Sequence, residues 1–343
     1  MKTNRFTLLL SLSLGLLGCE ERIEAPSDGK GTLYIINSQM CSLDSLHSVR
    51  VMASSEGQGV VDAGEVSLKL LVNGVVLDEV RGHDDEGKYE LKGSFLPGDN
   101  VCVSVTGPLG TAAAEAVVPD PPATPEVTYD GKTEVSYVEY GNAETNLFNV
   151  IKVKVKDAPG EHCGYRVRMF LDGEVECIGD ESGYEYPGYS HLGEVIHVGP
   201  RVLQLNNRLE PLLCKKEDSN GQTLEYNVFP DYAVDGQEYS LLLLTKGDLQ
   251  IRPSTLSSGE TWVARTRLVV RFERMTELSY RYLNSVYYET DGNWIPLNYQ
   301  APVYPSNVEG GLGYLLLTSA KTASYSFPDC YFDDQHYLDG YVK

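Results

Sequence analysis

The chemistry open to this 343-residue chain begins with its seven cysteines. Cys19 follows Leu16-Leu17-Gly18 and precedes Glu20-Glu21. A thiol behind a short apolar run and a small residue is placed for lipidation, with cleavage on its N-terminal side. Beyond it stand Cys41, Cys102, Cys163, Cys177, Cys214 and Cys330, an even number, which in an exported chain permits a disulfide framework. Cys41 and Cys102 are alone in the first half and are each other's expected partner. No CxxC pair or His/Cys cluster at zinc spacing is present, so neither a metal nor another cofactor is expected. His191 and His197 share a face if their segment is a strand, but no third ligand accompanies them, and they read as satisfied or exposed side chains. Residues 183–193 (GYEYPGYSHLG) interrupt the strand pattern with Tyr184, Tyr186 and Tyr189. Rings on such a loop offer a candidate surface for a small-molecule, peptide or glycan ligand, although the same residues could pack on their own domain.

Other signals for chemistry are weaker. The acidic turn Asp84-Asp85-Glu86-Gly87 lacks the alternating spacing of a calcium loop and reads as a solvated turn. The glycines of residues 305–314 precede a strand and lack the Lys-Ser/Thr pair and helix N-terminus that hold phosphate, so they read as a tight turn. There is no GxSxG elbow and no HExxH helix, and nothing localises a pair of carboxylates for acid/base work. The chain is therefore expected not to be an enzyme.

The elements that position these residues are mostly strands. Lys2, Arg5 and the apolar residues 8–17 have the build of an export signal over residues 1–18, and the run is too short to span a bilayer. With Gly18 and Cys19 it resembles the lipobox of bacterial lipoproteins. Each buried methylene contributes about 0.8 kcal/mol, so two or three acyl chains on Cys19 would hold the protein on a membrane. Removal of Lys2 and Arg5 with the leader leaves 26 basic against 49 acidic side chains, a net charge of −23. Such a field repels phosphate, and nucleic acid is excluded as a partner.

Residues 19–30 form a polar tether, and strands follow at short spacing. Residues 66–72 and 75–80 flank Asn73-Gly74, a strong hairpin signal. Residues 31–118 have the rhythm of an immunoglobulin-like β-sandwich. Residues 119–125, rich in proline, form a linker to a larger β-rich domain over residues 126–343. The fold class is mainly β with one helix, near residues 277–290, whose apolar stripe is Leu278, Tyr282, Leu283 and Val286.

In the second domain residues 149–156 alternate, Ile151, Val153 and Val155 against Lys152, Lys154 and Lys156. Residues 262–272 do the same, Trp262, Ala264, Thr266, Leu268, Val270 and Phe272 against Arg265, Arg267 and Arg271. Residues 163–177 read as a hairpin turning at Leu171-Asp172-Gly173, the register in which polarity matches. Cys163 and Cys177 then lie about 13 Å apart and cannot bridge directly. If all six pair within one molecule and Cys41 takes Cys102, Cys163 and Cys177 divide Cys214 and Cys330 between them. The basic side chains on the outward faces, with Arg166 and Arg168, either present a basic patch or pair across strands with acids such as Glu176. Cross-strand pairing is the expectation.

Together the acidic residues behind Cys19, Gly87-Lys88-Tyr89, Pro97-Gly98-Asp99, the run AEAVVP at residues 114–119, Tyr280-Arg281-Tyr282-Leu283 and the closing PSNVEGGLGY at residues 305–314 resemble a family of Bacteroidota lipoproteins catalogued as domain of unknown function 4249. The resemblance implies lipid attachment at Cys19, display on the outer membrane at the cell surface, no known catalytic residues, and accessory partnership with a TonB-dependent transporter. The expected function is non-enzymatic ligand capture or transporter support. An adhesin or structural surface protein is the alternative, and a glycan-active hydrolase comes third.

Overall fold

The computed structural model describes residues 32–55, 59–84, 87–139, 142–160, 162–180, 191–206, 209–213, 216–217, 223–224, 227–252, 259–289 and 305–333. The strands before the proline-rich segment are β1 (Tyr34–Cys41), β2 (Leu46–Ser55), β3 (Gly59–Asp62), β4 (Ser67–Val72), β5 (Val75–Arg81), β6 (Lys88–Lys92), β7 (Asn100–Gly107) and β8 (Gly110–Val117). After it come β9 (Glu126–Glu139), β10 (Asn142–Lys156), β11 (Cys163–Asp180), β12 (Val195–Leu203), the short β13 (Lys216–Glu217), β14 (Thr223–Leu224) and β15 (Val228–Pro230), then β16 (Glu238–Thr245) and β17 (Glu260–Thr276). Helix α1 (Glu277–Glu289) leads to β18 (Val308–Glu309), β19 (Gly311–Ser326) and β20 (Cys330–Asp333). The chain is mainly β, as its alternation predicts.

One ten-stranded sheet runs in the order β12-β11-β17-β19-β1-β2-β3, with β15 beside β11, β20 beside β17 and β6 beside β2. Two smaller sheets cover its inner face. The sheet β18-β8-β7-β4-β5 closes a core of Ile36, Val49, Val51, Leu68, Leu70, Tyr89, Leu91, Val101, Val103 and Val105 with part of the long sheet. The sheet β16-β10-β9 closes a second core with Met169, Leu171, Trp262, Leu268, Val270 and Phe272. Asn73 and Gly74 both take positive φ at the β4–β5 turn, as an Asn-Gly hairpin requires.

The N-terminal sandwich is not assembled from residues 31–118 alone. β1 pairs in parallel with β19, Tyr34 opposite Gly311 through Cys41 opposite Thr318. The inward residues Leu315 and Leu317 of β19 belong to the N-terminal core, and β18 extends the cover sheet by pairing with β8. Beyond that register β19 pairs with β17, from Met275 opposite Thr318 to Arg267 opposite Ser326. A single strand thus carries the long sheet across the boundary that the prolines mark.

Gly313 makes this contact possible. Its φ is +105°, and a Cβ there would sit 2.1 Å from the Ile36 carbonyl oxygen. Gly313→Ala is expected to cost about 3 kcal/mol through backbone strain and displacement of β1. Chemical denaturation should show this as a lower midpoint with an unchanged slope.

Three sequence expectations are corrected. Residues 163–177 are not a hairpin: β11 runs straight through Gly173, paired with β17 from Cys163 opposite Thr276 to Asp180 opposite Glu260. Gly173 is needed for close approach rather than for a turn, since a Cβ would lie 2.1 Å from the Arg265 carbonyl oxygen, and the register towards β12 slips beside it. Asp-Gly signals a turn and a bulge equally, and burial of Met169, Leu171, Val175 and Cys177 on one face selects the straight strand.

Cys41 and Cys102 are both free thiols and do not pair. Val101, Val103 and Val105 of β7 fill the core, so the alternation turns Cys102 outward on the cover sheet, while Cys41 is buried at the end of β1 in the other sheet. Cys163 and Cys330 are free as well, the Cys177 thiol donates to Gly179 O at 3.5 Å, and Cys214 lies outside the described residues.

Among the described side chains of α1 the buried ones are Ser279 and Leu283, whereas Leu278 is 45% exposed. The helix lies on the outer face of the long sheet, where Leu283 joins Val228, Met275, Tyr314 and Leu316, and Tyr282 stacks on Tyr314 at 4.4 Å. Gly164 sets its rotation, because a Cβ there would meet Tyr280 Cβ at 2.4 Å. The side chain of Val286 lies outside the described residues.

Candidate functional site

Tyr184, Tyr186 and Tyr189, like Cys19, fall outside the described residues. The frame on both sides of the tyrosine segment is described. It is built from the end of β11, the start of β17 and the turn that leads into β12. Cys177 stands opposite Trp262, and after a register slip Asp180 stands opposite Glu260. The chain re-enters at His191 and is tied back to β11, with Gly193 N–H donating to Cys177 O at 2.8 Å and Cys177 N–H to Glu194 O at 3.0 Å. A further bond from Glu194 N–H to His191 O, 2.7 Å, closes the turn.

Inside this frame Glu260 is 2% exposed. One carboxylate oxygen accepts from Trp262 Nε1–H at 3.0 Å, and the other lies 2.5 Å from His191 Nδ1. A carboxylate only accepts, so Nδ1 carries the proton and Nε2 faces the opposite way. There it meets Glu194, 3.8 Å from Oε2, at a position where both side chains are 46% exposed. The imidazole lies 6.2 Å from the Trp262 ring, centroid to centroid. The arrangement is a solvent-accessible imidazole held in one tautomer by a buried carboxylate. Such a group can accept a proton, bond a ligand hydroxyl or coordinate a cation.

His197 is separate, on β12, 83% exposed and 3.9 Å from Glu174. No spacing in the sequence connects Glu260 and Trp262 with His191. Their signal was present: Glu260 continues the inward alternation of Trp262, Ala264 and Thr266, and a carboxylate on a core face requires partners.

Most of the outward basic residues pair with acids on neighbouring elements, Lys152, Lys154, Arg265 and Arg267 across strands as expected. Arg265 meets Glu176 at 2.8 Å and Glu174 at 3.0 Å, Arg267 bonds Asp172, and Arg271 forks onto Asp44 at 3.0 and 3.1 Å. Lys152 pairs with Asp130, and Lys154 with Glu238 at 2.8 Å. Arg166 bonds the fully buried Glu273 through Nε at 2.8 Å and Nη2 at 2.5 Å, with Arg168 3.7 Å from its other oxygen. The guanidinium groups of Arg168 and Arg271 lie 5.3 and 5.5 Å from the centre of the Phe170 ring.

A second buried polar group lies under the C-terminal sandwich. Asp157 accepts from Tyr165 O–H and from Gly236 N–H at 2.9 Å, and Asp231 accepts from Cys163 N–H at 2.7 Å. Burial pushes the Cys163 thiol up to about 12, so it stays protonated and is no nucleophile at neutral pH. This cluster joins β11 to neighbouring loops.

Comparison with curated proteins returns no match. A family described as domain of unknown function (DUF4249) matches residues 20–324. That span takes in both sandwiches, helix α1, the His191–Glu260 frame and most of β19, and the chain belongs to the DUF4249 family.

Proposed function

We propose that this chain is a lipoprotein, held by lipid on Cys19 at the outer membrane and displayed at the cell surface, whose paired sandwiches hold a binding surface for ligand capture or for docking on a TonB-dependent transporter. The observation that carries the reading is the start of the family match at residue 20, immediately behind Cys19. The family region therefore begins one residue behind the expected mature N-terminus, and the apolar run before it has the build of a removed leader. The His191–Glu260 frame supports the binding role, since it presents an oriented polar group two residues along the chain from Tyr189.

Fractionation of cells making wild type and Cys19→Ala tests the anchor. Wild type is expected in the membrane fraction and the variant in the soluble fraction, and retention of the variant on membranes overturns lipid attachment. Gentle detergent extraction of the wild type should recover a large β-barrel with it. Repeated recovery as a lone monomer removes the transporter role.

A further inference from the structure

We propose that His191 and Glu194 form a binding site for a divalent transition-metal cation of borderline softness, such as Zn2+ or Cu2+, with Glu260 as the carboxylate that holds the imidazole from behind. The inference stands independently of membrane anchoring. A metal-binding histidine commonly donates its second ring N–H to a carboxylate, which sets the tautomer and raises the basicity of the coordinating nitrogen. Glu260 does this here: it is buried, it lies 2.5 Å from His191 Nδ1, and the Trp262 N–H steadies its other oxygen.

Nε2 is thereby aimed at the Glu194 carboxylate, 3.8 Å away. A tetrahedral ion with bonds of about 2.0–2.1 Å spans roughly 3.3 Å between its nitrogen and oxygen donors. Closing the difference takes a shift of roughly half an ångström. The backbone bonds that dock residues 191–194 on β11 hold both donors on one turn, so the shift is confined to side chains. The cation replaces the contact between His191 and Glu194 by two coordinate bonds.

Imidazole with carboxylate favours Zn2+, Cu2+ or Ni2+ over Mg2+ and Ca2+, which prefer oxygen ligands alone. Among the described residues no group of three or more His, Cys, Asp and Glu is arranged to hold a metal ion. Among the described residues the cation therefore has two protein ligands, and its other positions are left to further donors such as water or an incoming ligand.

The test is titration of the purified mature chain with Zn2+, followed by calorimetry, and with Cu2+, followed by electron paramagnetic resonance. The expected result is one saturable Zn2+ site and a Cu2+ spectrum with hyperfine coupling to one imidazole nitrogen. Both should be lost in His191→Ala and weakened in Glu194→Gln. Glu260→Gln should lower affinity about 10- to 100-fold with both ligands still in place. His197→Ala, on the exposed pair with Glu174, should leave the site unchanged. Thermal unfolding of each variant establishes that it is folded, and Glu194→Gln, at a half-exposed position, keeps the test decisive should Glu260→Gln unfold. Equal affinity for Mg2+, no saturable Zn2+ binding, or undiminished binding in His191→Ala overturns the proposal. Unchanged affinity in folded Glu260→Gln overturns the role of Glu260.

Discussion

A fragment of residues 32–125, made without the rest of the chain, will not unfold cooperatively, although it contains every strand from β1 to β8. Both of its sheets are finished by the C-terminal part: β18 pairs with β8, and β19 lies against β1 over eight residues. Asn307 ties the two together, its side chain bonding Leu315 N–H and Leu315 O, each at 2.8 Å. Without β19, the edge of β1 presents unpaired backbone groups. The core also loses Leu315 and Leu317, which are 0% and 2% exposed. Each missing leucine costs about 2–5 kcal/mol, against a total of about 5–15 kcal/mol for a domain. Circular dichroism during heating should show a broad, weak transition for the fragment. The same fragment with residues 305–326 joined through a flexible linker should melt sharply. A sharp melt for the unextended fragment would show that the sandwich stands alone.

Glu273→Ala is expected to destabilise the protein by about 3–5 kcal/mol, among the largest effects of any single side chain. Glu273 is 0% exposed and Arg166 only 13%, so truncation strands a guanidinium within the packed region between β11, β17 and β1. Arg166 would retain Gln39 as a neutral partner, which does not offset the charge. The ion pair itself need not contribute much net stability, because desolvation of both groups opposes their attraction. A double variant, Arg166→Met with Glu273→Leu, should therefore recover most of the loss. Urea unfolding of wild type, the single variant and the double variant checks this. A loss below about 1 kcal/mol in the single variant, or a double variant less stable than the single, would refute it.

These two expectations lie at opposite ends of what could be read locally. The Arg166–Glu273 register follows once β11 and β17 are known to be neighbours, and the alternation of residues 262–272 already placed arginine outward and Trp262, Leu268 and Phe272 inward. Period-two alternation is a local property, so β10, β17 and the Asn73-Gly74 hairpin were legible. The Asp172-Gly173 step was legible only as an irregularity. A turn and a bulge ask for the same residue, and the neighbouring strands on both sides of β11 decided between them. Pairing of Cys41 with Cys102 follows only from their being the two cysteines of residues 31–118. It failed because the thiols face different surfaces of different sheets.

The candidate site divides in the same way. His191 and the tyrosines around it stood out by composition, but Glu260 is 69 residues away along the chain, and no spacing rule connects them. Legible in the residues alone are the class of the fold, the inward and outward faces of its strands, the hairpin at Asn73-Gly74 and the family signature, whose match covers residues 20–324. The tertiary structure alone decided that β19 crosses from one sandwich to the other, that β11 does not turn at Gly173, and that a buried carboxylate orients His191. The physical reason is that a strand's side-chain alternation is written in its own residues, whereas its hydrogen-bond partners are not. Edge N–H and C=O groups pair with whichever strand packing brings alongside, and only the packed core selects it.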